Sequence, residues 1–158
     1  MKNIVLIGMP GVGKSTAGVV LAKVLGYEFI DADLIIQQQE GKLLREIIAE
    51  VGTDGFIEVE KSVIATGGSV VYGKEAMQHL REIGTVVYLK VSYDILEKRL
   101  HDIKGRGVVL KDGQDLRGLY EERVPLYEKY ADITVCEDNL NVEQTIEKIT
   151  EQLNKLEA

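Results

Sequence analysis

Gly8-Met9-Pro10-Gly11-Val12-Gly13-Lys14-Ser15 follows a short apolar run, Asn3–Ile7, and opens a stretch with helical periodicity. It meets the pattern G-x-x-x-x-G-K-[ST] at every defined position, in the strand–loop–helix context that the pattern requires. Glycines at these places let backbone N–H groups turn inward around phosphate oxygens, assisted by the positive end of the following helix. Lys14 then reaches the β- and γ-phosphates of a nucleoside triphosphate, and Ser15 offers its hydroxyl to Mg²⁺. Gly11, Val12, Gly13, Lys14, Ser15 and Thr16 are therefore the expected nucleotide-binding residues. A Gly-rich turn that only caps a helix is the weaker reading, because motif and context are met together.

Working outward, Ala17, Val20, Leu21, Val24 and Leu25 keep helical spacing over Ser15–Leu25, and Gly26 suits the position just past the helix. Four more β-branched, apolar runs follow at Glu28–Ile30, Ser62–Thr66, Thr85–Val91 and Asp132–Cys136. Met77, Leu80 and Ile83 mark a helix closed by Gly84. Val142, Ile146, Ile149, Leu153 and Leu156 stripe a terminal helix, with Asn141 and Gln144 offering a cap at its start. Alternation of this kind predicts an α/β fold with a five-stranded parallel sheet and helices on both faces. Ligands in such sheets bind beyond the carboxyl ends of the strands. The chemistry is expected just after Ile7, Ile30 and Thr66.

The 158 residues suit one domain over 1–158 with a core of its own. A formal charge of −7 disfavours non-specific binding to nucleic acid or anionic membrane, both of which need a positive field. The single cysteine, Cys136, rules out an intrachain disulfide; it is expected in the core. No segment reads as a membrane span or a cleaved leader, and no obligate protein partner is evident. A cytoplasmic location is the default expectation.

The chain lacks a guanine-reading N-K-x-D element. A D-x-x-G, Asp102 to Gly105, follows the fourth strand, where no switch belongs. The third and fourth strands also end without the aspartate that motor ATPases place there. Asp31-Ala32-Asp33 ends the second strand instead. Alternate residues of an extended chain point the same way. One carboxylate could hold the Mg²⁺ shell while the other orients or deprotonates an attacking hydroxyl. Helix capping is the plainer reading, but it does not need both. Ala65-Thr66-Gly67-Gly68-Ser69 ends the third strand with small residues that allow a ligand close to the backbone.

With the phosphate loop, the aspartate pair and the Gly-rich turn in this order, the chain resembles the shikimate kinase family along nearly its whole length. Arg99, Arg106 and Arg123-Val124-Pro125-Leu126-Tyr127 continue the match. The resemblance implies a P-loop kinase using ATP and Mg²⁺, with shikimate or a similar hydroxy acid as its small-molecule partner. It implies that Asp33 binds the ring hydroxyls and helps activate the 3-hydroxyl, and that Asp31 supports Mg²⁺ with Ser15. It further implies that Gly67 and Gly68 contact the substrate and that Arg123 pairs with its carboxylate. Arg99 packs on adenine, Arg106 closes over the phosphates, and residues 104–114 form the lid. Lys14, Asp33 and Arg106 are thus the expected catalytic residues. Guanidinium chemistry agrees, since arginine pairs bidentately with carboxylates and stacks on bases.

Four positions depart from the family pattern. Ile57 stands where the family has a second carboxylate-binding arginine, and Ser69 replaces a third glycine of the turn. The segment before Ser62 is short, and the lid reads Arg106-Gly107-Val108. Two further readings follow: a kinase for another hydroxylated acceptor such as a sugar acid, and a non-catalytic ATP-binding sensor.

Overall fold

A computed structural model of the chain describes residues 3–31, 62–67, 70–102 and 115–157. Five parallel strands are ordered β2-β3-β1-β4-β5. They are β1 (Asn3–Ile7), β2 (Glu28–Asp31), β3 (Ser62–Ala65), β4 (Gly84–Lys90) and β5 (Ile133–Cys136). The helices described are α1 (Lys14–Leu25), α2 (Lys74–Ile83), α3 (Tyr93–Asp102), α4 (Leu116–Tyr130) and α5 (Val142–Glu157). A short 3₁₀ turn, Val70–Tyr72, precedes α2. The sheet is the one expected from the alternation of runs.

Central β1 is buried along its length, which is why it reads as an unbroken apolar run rather than an alternating one. Its pairing with β4 sets Leu6 beside Val87 and Ile7 beside Tyr88. Neighbours in register share a face of the sheet and successive residues alternate between faces. Leu6 lies under α1, where a Cβ on Gly18 would come within 3.4 Å of it. Tyr88, on the other face, stacks against Tyr127 of α4 with ring centroids 5.0 Å apart. Hence α1 and α4 cover opposite faces, and α5 packs beside α1.

Both ends of α1 follow from glycine. Gly26 adopts φ 71° and donates its N–H to the Ala22 carbonyl. At the start of α5, Asn141 and Gln144 cap each other reciprocally: the Gln144 N–H donates to Asn141 Oδ1 at 2.7 Å, and the Asn141 N–H to Gln144 Oε1 at 3.0 Å. Of the stripe on α5, Ile146, Ile149 and Leu153 are buried, whereas Val142 and Leu156 at its ends are exposed.

One expectation is met with an addition, and two need correction. Gly84 closes α2 as expected, its N–H donating to the Leu80 carbonyl, but it is extended and also begins β4. A Cβ there would sit 2.5 Å from the Asn3 carbonyl oxygen, so close approach of β1 accounts for the glycine. Cys136 is exposed rather than core. It is on edge strand β5, where Ile133 and Val135 face inward and Thr134 and Cys136 outward. Thr66 lies just past β3, and its hydroxyl donates to the Leu6 carbonyl at 2.8 Å, a tie between strand ends. Ile57, Ser69, the segment before Ser62 and the lid span 104–114 lie outside the described residues.

Candidate active site

The carboxyl ends of the strands gather the phosphate loop after β1, Asp31 at the end of β2, Gly67 after β3 and Glu137 after β5. Gly13 takes φ 87°, a left-handed conformation that favours glycine, and no side chain caps the start of α1. The first N–H groups of that helix are thus left to face an anion. At Gly8 a Cβ would stand 2.7 Å from the Leu89 carbonyl oxygen, so only glycine lets the loop leave β1 this close to β4.

Lys14 is buried, and its ammonium donates to the Gly8 carbonyl at 2.8 Å and the Met9 carbonyl at 3.0 Å. These contacts fold the lysine back over its own loop. Ser15 Oγ donates to Asp31 Oδ2 at 3.2 Å. Two hard oxygen donors so placed, one of them charged, are the donor chemistry that Mg²⁺ accepts alongside water and phosphate oxygens.

A cavity of about 240 Å³ opens beside the loop, lined by Gly11, Gly13, Thr16, Arg99, Glu137 and Val142 among others. Arg99 reaches it from α3. Its Nη1 donates to the Gly11 carbonyl at 3.4 Å and to Glu137 Oε1 at 3.2 Å. Glu137 is only 5% exposed. Burial raises the pKa of its carboxyl above the ordinary glutamate value, with Arg99 acting in the opposite direction.

On the other side of the loop, Arg123 is buried with Leu119 and Tyr127 on one face of α4, as its spacing predicts. Its guanidinium lies over the Tyr72 ring at 5.3 Å, and Nε donates to the Tyr72 hydroxyl at 3.4 Å. The Tyr72 hydroxyl in turn donates to Glu122. Tyr127 donates to Met9 Sδ at 3.7 Å, which links this helix to the phosphate loop. Burial pushes the Tyr127 phenol up to about 12, against the pull of Arg123, so it stays a neutral donor.

The structure thus brings together Gly11, Val12, Gly13, Lys14, Ser15, Thr16, Asp31 and Arg99, with Gly67 at the same sheet edge and Arg123 joined to the loop through Tyr127. Asp33, Gly68 and Arg106 lie outside the described residues. Sequence reasoning missed Glu137 and Tyr72. Glu137 was available to the rule that ligands bind beyond strand ends, applied to the fifth strand as well as the first three. Tyr72 carries no such signal, because its partner Arg123 is |i−j| = 51 away.

Comparison with known proteins agrees with the geometry. The family model for shikimate kinase matches residues 10–154. A shikimate kinase of Trichormus variabilis is 40% identical over 164 residues, covering 96% of this chain and 88% of the relative. One from Thermodesulfovibrio yellowstonii is 34% identical over 169 residues, covering 99% and 97%. The solved structure of Acinetobacter baumannii shikimate kinase in complex with shikimate superposes with a TM-score of 0.76 at 30% identity, over 98% of this chain and 94% of that one. With a phosphate loop, a paired serine and aspartate and a buried arginine held around one sheet edge, the chain belongs to the shikimate kinase family and is an ATP-dependent small-molecule kinase.

Proposed function

We propose that this protein transfers the γ-phosphoryl group of MgATP to the 3-hydroxyl of shikimate, giving shikimate 3-phosphate and ADP. The observation that carries the acceptor side is Arg123, a guanidinium only 3% exposed that donates to the Tyr72 hydroxyl and lies beside the Tyr127 phenol. A buried cation of this kind calls for an anionic partner, and a substrate carboxylate meets its fork with two parallel hydrogen bonds. Tyr127 ties this arginine to the loop expected to hold the phosphates. An acceptor anchored at Arg123 by its carboxylate therefore places its hydroxyls toward the nucleotide.

In this reading Asp33 takes the proton of the 3-hydroxyl as its oxygen bonds to the γ-phosphorus. The bond from that phosphorus to the β–γ bridging oxygen breaks, and ADP departs with the electron pair. Lys14 and Arg106 stabilise the charge on the transferring group, and Gly67 and Gly68 let the acceptor approach the backbone. Ser15 and Asp31 would hold Mg²⁺, whose charge offsets that of the phosphates when bound. Arg99 packs on the adenine. Residues 1–158 act as one cytoplasmic domain in which 104–114 close over the site and exclude water.

Purified protein with MgATP and a panel of shikimate, gluconate and other hydroxy acids tests the assignment. Shikimate as the clear best substrate, with turnover lost about 10²- to 10⁴-fold in Asp33→Asn, is the expected result. Ile57, standing where the family has its second carboxylate arginine, supports the competing acceptor class. A sugar acid preferred over shikimate would overturn our reading in favour of it. No acceptor-dependent ADP release at all would leave an ATP-binding sensor.

A further inference from the structure

We propose that Glu137 is the positioning residue for Arg99, a buried counter-charge that fixes the guanidinium over the base end of the nucleotide cavity. This rests on the reading above that Arg99 packs on the base of ATP.

The two contacts of Arg99 both fall on one nitrogen. Nη1 carries two hydrogens, and it donates one to the Gly11 carbonyl at 3.4 Å and the other to Glu137 Oε1 at 3.2 Å. Because guanidinium is planar, engaging both hydrogens of one Nη defines the orientation of the whole group. Leu140 and Val142 line the same cavity as Arg99 and give it an apolar side suited to a base.

The two partners differ in how firmly they are held. Arg99 is a long side chain on α3, with 36% of its side chain exposed. Left alone it would sample many rotamers and would have to be ordered when nucleotide binds. The Glu137 backbone is anchored at the sheet end, where its N–H donates to the Lys90 carbonyl at 2.9 Å and its own carbonyl accepts from Leu140 N–H at 3.0 Å. The carboxylate therefore projects from the rigid element and the arginine conforms to it.

Stability is a poor reason for such a residue. A carboxylate 7% exposed in its side chain loses solvation that one partly solvated arginine does not restore, and a packed apolar side chain would serve the fold at least as well. What a charge supplies here, and an apolar group cannot, is a fixed direction for Arg99 before ATP arrives.

Isothermal titration of the full chain without acceptor tests this, using MgATP and, separately, inorganic tripolyphosphate, which has no base. Glu137→Ala should weaken MgATP about tenfold, the size expected for a lost charged hydrogen bond. Glu137→Gln keeps the shape and one acceptor and should weaken it by less, and it serves if the alanine variant does not fold. Tripolyphosphate should bind all variants as it binds the parent, and Glu137→Ala combined with Arg99→Ala should be no weaker for MgATP than Arg99→Ala alone. Unchanged MgATP affinity in Glu137→Ala, while Arg99→Ala is weakened, would overturn this proposal and leave the role of Arg99 standing. Loss of tripolyphosphate binding alongside MgATP would also overturn it, by showing a distorted phosphate loop. If Arg99→Ala itself binds MgATP normally, the reading of Arg99 fails first and this proposal with it.

Discussion

Ser15 Oγ and Asp31 Oδ2, separated by |i−j| = 16 in the chain, lie 3.2 Å apart. One projects from the first turn of α1 and the other from the last residue of β2, so the parallel sheet makes them neighbours at its carboxyl edge. Removing either oxygen should raise the Mg²⁺ concentration needed for half-maximal turnover, by about tenfold or more for Asp31→Asn and by less for Ser15→Ala. Magnesium titration of kinase activity at fixed ATP checks this. An unchanged requirement in both variants would remove the pair from the metal site.

Arg123 and Tyr72 invite a paired substitution. Arg123→Lys keeps the charge but loses the planar fork, and should raise KM for the acceptor about tenfold. Tyr72→Phe keeps the ring under the guanidinium and removes only the hydroxyl that accepts from Nε, so a rise of a few-fold is expected. The two effects should be less than additive, since both act on one guanidinium. Strict additivity in a double-mutant cycle on acceptor KM would show that Tyr72 does not work through Arg123.

The raised pKa of Glu137 has a sign that can be measured in stability. The folded protein holds this proton more tightly than the unfolded chain, whose carboxyl is near the ordinary glutamate value. Below that value both states are protonated and the residue is neutral to stability. As pH rises toward and past the folded pKa, the unfolded state gains, and the full penalty remains at neutral pH. Glu137→Gln should therefore melt close to the parent at about pH 4, and above it at about pH 8. Melting curves at the two pH values decide, and a gap independent of pH would contradict the expectation. Taken with weaker ATP binding, a more heat-stable Gln variant would mark the carboxylate as kept for the site rather than for the fold.

Gly84→Ala probes the fold alone. Its Cβ would approach the Asn3 carbonyl oxygen to 2.5 Å, and Asn3 also ties β3 and α2 together through Ser62 N–H and the Ile83 carbonyl. Backbone cannot yield as a flexible side chain does. A loss of about 1–3 kcal/mol is expected, seen as a melting temperature lower by several degrees. Wild-type stability would mean that β1 and β4 separate freely at that end.

Much of the fold was legible from local pattern. The phosphate loop, α1 with Gly26 behind it, the Asn141–Gln144 cap and all five strands depend on spacing and side-chain type within a few residues. Cys136 misled because an apolar run on an edge strand is buried on alternate residues only, and edge position is a property of the sheet order. At Gly84 the helix end was legible, but the need for glycine was not: it answers to a strand that lies far away in sequence.

For the site, the sequence by itself indicated which side chains are chemically suited to phosphate, metal and carboxylate, because such suitability is a property of residue type and short spacing around Gly8–Ser15, Asp31 and Arg123. Only the tertiary structure decided which groups meet. It set Arg99 between Gly11 and Glu137, and Tyr72 against Arg123, through contacts at |i−j| of 88, 38 and 51. Such pairings follow from strand order and helix packing, whose energies are summed over the whole core and leave no mark on any one stretch of the loop with which the reading began.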